Sequence, residues 1–111
     1  MIEATVLDYL AGQLAVPVYM ERPENPPERY VLVEKLGGGQ RNHIHSATLA
    51  IQSIAESMYQ AALLNNTVKT AMEAAVACPE ISSAKLNSDY NFTDTTTREY
   101  RYQAVYDLTY Y

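Results

Sequence analysis

Residues 84–110, AKLNSDYNFTDTTTREYRYQAVYDLTY, keep a period of two on either side of a Thr/Asp-rich break. Ala84, Leu86, Tyr90 and Phe92 alternate with Lys85, Asn87, Asp89 and Asn91. After residues 93–97, the positions of Tyr100, Tyr102, Ala104, Tyr106, Leu108 and Tyr110 resume the alternation. Successive side chains of a strand point to opposite faces, so the two runs read as a β-hairpin with one face turned to a core.

Working back along the chain, residues 56–76 change period. Met58, Ala61, Leu64, Val68, Ala71, Met72 and Ala75 form one helical stripe, opposite Gln60, Asn66, Lys69 and Glu73, and Pro79 ends the helix. In residues 44–54, Ala47, Leu49 and Ile51 alternate with Thr48 and Gln52. This predicts a strand returning antiparallel to the β-branched run YVLVEKL at 30–36. Between them, Gly37, Gly38, Gly39, Gln40, Arg41 and Asn42 are expected as a mobile loop. The proline-rich stretch RPENPPE at 22–28 is a turn. Residues 16–21 make a short strand suited by Pro17 to an edge or a strand start. Residues 2–14 form a first helix, with Ile2, Val6, Tyr9, Leu10 and Leu14 on one side. The order α-β-β-β-α-β-β predicts an α+β fold, an antiparallel-dominated sheet with two helices packed on one face. Leu64, Val68 and Met72 are expected to pack on Leu49, Ile51, Leu86 and the tyrosine-rich last strand.

The chain has 111 residues, a size that suits a single domain over 1–111. A single cysteine, Cys78, excludes an internal disulfide framework. No apolar run nears the roughly 20 residues of a membrane helix, and the start MIEATVLDYL lacks the pattern of a signal peptide, so a cytosolic origin is expected. Eight Lys and Arg against thirteen Asp and Glu give a net charge of −5, with the bases scattered singly. That argues against sequence-specific nucleic-acid binding, which needs a basic patch. Ten tyrosines accompany one phenylalanine and no tryptophan, a bias suited to strand pairs and subunit interfaces.

Motifs for chemistry are sparse. His43 and His45 would share a strand face, but no third and fourth metal ligand has convincing spacing, and no metal or cofactor is expected. The glycine run leads into a strand rather than a helix and lacks the lysine of a phosphate loop. Asn65-Asn66-Thr67 and Asn91-Phe92-Thr93 match a glycosylation pattern that carries no meaning without secretion. Cys78 follows an alanine-rich helix end without a nucleophile motif and reads as a small buried thiol.

Four segments together resemble a known family: the first helix, VPVYMERPENPPERYVLVEK at 16–35 with its Gly-rich tip, IHSATLAIQSIAES at 44–57, and LNSDYNFTDTTTREYRYQAVYDLTYY at 86–111. The pattern is similar to the tail terminators, or tail-to-head joining proteins, of long-tailed bacteriophages and prophages. The resemblance implies a structural virion protein without catalysis, placed at the head–tail interface and assembled in the host bacterial cytoplasm. It implies a ring, commonly a hexamer, that caps the tail tube and ends its polymerisation. Its partners would be other copies of itself, the tail tube protein and a head-completion or neck protein. DNA would pass through the lumen without specific binding, and no membrane would be involved. Interface candidates lie on the exposed hairpin ends: Gly38, Gly39, Arg41, His43, Thr95, Arg98 and Glu99. The segments containing them, 37–43 and 93–98, are expected to be mobile in the free protein. Competing readings are another head–tail neck or connector protein, a small metal-dependent or hydrolytic enzyme using His43, His45 and Cys78, and a host-directed binding module presenting the tyrosines.

Overall fold

A computed structural model describes residues 1–97 and 99–111. Helix α1 (Ile2–Gln13) leads to a two-residue strand β1 (Val18–Tyr19), then the long hairpin β2 (Tyr30–Arg41) and β3 (Ile44–Ala55). Helix α2 (Met58–Glu73), a 3-10 turn at Ala75–Ala77, and the second hairpin β4 (Ile81–Asn91) and β5 (Tyr100–Tyr110) follow. The strands form one five-stranded sheet in the order β1-β2-β3-β5-β4, parallel only at β1–β2 and antiparallel elsewhere. The fold is α+β in the expected order, with both helices packed on the sheet.

Alternation within the strands decides which residues meet the helices. Val31 and Val33 of β2, Ala47, Leu49 and Ile51 of β3, and Ala104, Tyr106 and Leu108 of β5 face Ile2, Val6 and Leu10 of α1 and Val68 and Met72 of α2. Burying one such aliphatic side chain contributes about 1.5–3 kcal/mol. Ser57 caps α2 by accepting from the Gln60 backbone N–H at 3.2 Å. The Tyr9 hydroxyl donates to the Ala71 carbonyl at 2.6 Å and joins the two helices.

Three expectations change. The glycine run is not a loop: β2 continues through Arg41, and its glycines pair in register with Thr48, Ala47 and Ser46. The turn has shrunk to Asn42 and His43, both with positive φ, 52° and 67°. Such a pair matches the right-handed twist of flanking strands, and an ordered partner in β3 holds the glycines extended. Second, the stripe of α2 is centred on Asn65, 2% exposed, while Leu64 lies half-buried beside it; burial also removes Asn65 from any reading as a glycosylation acceptor.

Third, Leu86, Tyr90 and Phe92 are exposed. The register of β4 against β5 shifts between Leu86 and Ser88, so Asn87 is an extra residue. Leu86 pairs with Tyr106 on the helix side, whereas Tyr90 pairs with Gln103 on the open side. A run with unbroken period in the sequence therefore changes face. Leu86 is left out of the core because β4 is the edge strand and α2 lies chiefly over β3 and β5.

Candidate assembly surface

The first group of candidate residues sits on an arm made by the ends of β2 and β3. Every residue from 34 to 44 is exposed, including Gly38, Gly39, Arg41 and His43. Gly38 is required by a close approach: a Cβ there would lie 2.9 Å from Lys35 Cε and 3.0 Å from the Ser46 carbonyl oxygen. Gly39 and Gly37 are freer, with a nearest neighbour at 3.4 Å for the former and nothing within 4 Å for the latter. His45 stacks on Tyr110 at 5.2 Å between ring centroids, fixing the base of the arm to β5.

Thr95 and Glu99 belong to the β4–β5 connection. Tyr100 pairs with Ala55 and Tyr110 with His45, so this connection lies at the opposite end of the sheet from the Asn42–His43 turn. The molecule measures 44 Å along its longest axis, and the candidates thus form two separate patches. Thr95 is an exposed turn residue. Arg98 lies outside the described residues. The connection is internally tied, as the Thr96 N–H donates to Asp94 Oδ1 at 2.9 Å and Asp94 bridges to Glu99. The Thr96 N–H is also the main cause holding the Asp94 carboxyl below its usual range.

Glu99 does not stand free on the surface. Its carboxylate accepts from Arg22 Nε at 3.0 Å, from the Tyr30 hydroxyl at 3.4 Å and from Arg101 Nη2, and its side chain is 15% exposed. Arg101 continues the chain by donating to Gln52 Oε1 at 3.1 Å. Gln52 Nε2 donates to Gln103 Oε1 at 2.9 Å, and Gln103 Nε2 donates to the Tyr90 hydroxyl oxygen at 2.6 Å. The face opposite the helices is therefore crossed by a polar relay from the proline-rich crossover to the edge strand. The sequence reading did not single out these residues as a set. The available signal was a glutamine in each of two neighbouring apolar strands, Gln52 and Gln103, which pair directly.

Farther toward the arm, an open groove is lined by Gly37, Gly39, Thr48, Lys85 and Asp107 among others. Asp107 is held below the usual carboxylate range by donors, first Asn87 and then Thr48. Burial pushes the Cys78 thiol above its ordinary value, the opposite of what an activated nucleophile needs. Among the described residues, no three His, Cys, Asp or Glu side chains gather as a metal site, and no helix is long and apolar enough to cross a membrane. The chain matches no known family model and no curated protein sequence.

Proposed function

We propose that this chain is a structural virion protein that forms a ring on the end of a phage tail tube, stops tube growth and joins tail to head. The observation that carries the reading is the arm of residues 34–44, exposed throughout yet ordered as a β-hairpin. A pre-formed arm of this kind reaches a neighbour without the entropy cost of ordering a loop. A second patch at the far end of the sheet suits the same reading, since a cyclic ring joins two different surfaces on each subunit. The acidic balance, net charge −5, suits a lumen through which DNA slides rather than sticks. The likeness to tail terminators in the sequence supports the same assignment.

The test is phage complementation with Arg41→Glu, at the exposed tip of the arm. The variant should melt like the parent when isolated, yet give over-long or headless tails because capping fails. Tails of normal length with full infectivity would overturn the role given to the arm. Normal tail length with unjoined heads would instead move the protein to an adjacent neck position.

A further inference from the structure

The two edges of the sheet are unequal in cover and opposite in sense. Strand β1 pairs only with Val31 and Leu32, so the outer edge of β2 from Val33 to Arg41 has no strand partner among the described residues. The outer edge of β4 is likewise unpaired. Proteins normally blunt such edges with prolines, charged side chains, bulges or covering loops. β2 carries charges at Glu34 and Lys35, but from Gly37 to Gln40 it has neither proline nor charge. It carries one register shift, between Lys35 and Gly37, and is straight in register from there to the turn.

The direction of its free amides follows from the ladder. Val31 donates its N–H outward to the Pro17 carbonyl at 3.0 Å. Alternation then aims the N–H groups of Val33 and Lys35 outward too, and beyond the shift those of Gly38 and Gln40. Strand senses complete the picture. β2 is antiparallel to β3, β3 to β5 and β5 to β4, so β2 and β4 run in opposite directions. A rotation about an axis along the strands leaves these senses unchanged. It brings β4 of one copy against β2 of the next as an antiparallel pair.

We infer that the free edge of β2, centred on Gly38 and Gln40, pairs with β4 of a second copy of this chain and continues the sheet from subunit to subunit. The inference rests on the ring reading for its closure and names the surface used. β1 acts as a stop: it occupies the edge at Val31 and Leu32, so the incoming strand is confined to the arm. The glycines present no side chain against the incoming backbone, which lets main-chain hydrogen bonds supply the contact.

The experiment is residue-resolved hydrogen exchange on the full chain across a concentration series, with mass photometry to report oligomers. On association, exchange at Gly38 and Gln40 and along β4 should slow by on the order of tenfold or more, as for amides newly placed in a ladder. Gln40→Pro deletes one outward donor and leaves the inward ladder intact, as edge prolines do. This variant should keep the parent's melting temperature and stay monomeric where the parent associates. Oligomers whose Gly38, Gln40 and β4 amides exchange as fast as in the monomer would overturn the inference while leaving a ring in place. A chain monomeric at all concentrations would overturn it as well, whereas the complementation result with Arg41→Glu decides the tail-capping reading separately.

Discussion

Gln52 and Gln103 face each other directly across β3 and β5, with Gln52 Nε2 donating to Gln103 Oε1 at 2.9 Å and each residue 6% exposed. Both remaining amide groups are used, one by Arg101 and one by Tyr90. Arg101 Nε is left without a partner, whereas the two glutamine amides are each engaged on both sides, and a stranded buried polar group is costly. Gln103→Ala strands the Gln52 amide and should cost about 1–3 kcal/mol in urea unfolding. A loss below about 0.5 kcal/mol, the ordinary range for surface changes, would show that the relay is dispensable.

The core makes a second expectation. Met72 is fully buried between α2 and the sheet. Met72→Ala should lower stability by about 2–5 kcal/mol through lost transfer energy and the cavity left behind. Thermal or denaturant melting checks this, and a near-parental midpoint would contradict the packing of α2.

At the glycines, geometry orders the outcomes. Gly38→Ala should destabilise, since its Cβ meets Lys35 Cε at 2.9 Å and a backbone oxygen at 3.0 Å. Gly37→Ala meets nothing within 4 Å, and φ there is not positive. It should be neutral or stabilising by up to about 1 kcal/mol, because alanine restricts the unfolded chain. Melting curves that rank the two variants the other way would refute the assigned register.

Acid response isolates one ion pair. Arg29 hydrogen-bonds Glu56 and lowers its pKa from 4.5 to about 2. The folded state therefore holds this carboxylate ionised where the unfolded chain would protonate it. Its stabilising effect is fully present above about pH 4.5 and is lost as pH falls toward 2. Glu56→Gln should flatten that part of the stability–pH curve, with the difference between variants vanishing below pH 2. Parallel curves for the two proteins from pH 5 to 2 would count against the pair.

Alkali tests Tyr106. Burial first, then the nearby Glu73 and Asp89 charges, push its phenol from 10 up to about 12. The folded protein keeps a proton that the unfolded chain releases near pH 10, so stability falls as pH rises from about 10 through 12. Tyr106→Phe should remove that component, seen as a smaller loss of melting temperature between pH 9 and 12. An unchanged loss would place the ring in water rather than in the core.

The sequence made element order, both helices and the antiparallel pairing legible, because long runs such as Tyr100 to Tyr110 keep one period without interruption. It was silent where one inserted residue changes phase. Asn87 and Leu36 look like ordinary members of their runs, yet each sits where the register slips and alters which neighbours share a face. Glycine composition likewise favoured a loop at 37–42, whereas the positive φ values of Asn42 and His43 confine the reversal to two residues. The candidate surface was half legible. Arg41 and His43 lie on an exposed tip as expected, but Glu99 is bound by partners far away in sequence, Arg22 and Tyr30, which no local pattern announces.

The position of β5 has a consequence for how the chain is made. It is the last strand in sequence, yet it lies inside the sheet, between β3 and β4. Until it arrives, β4 has no neighbour to pair with and the first hairpin exposes a bare flank. The sheet therefore cannot close before β5 has been made and is free to pair. The eleven-residue β5 completes it with one insertion that joins both halves at once. A stop codon anywhere within β5 would cost the whole architecture rather than a terminal ornament.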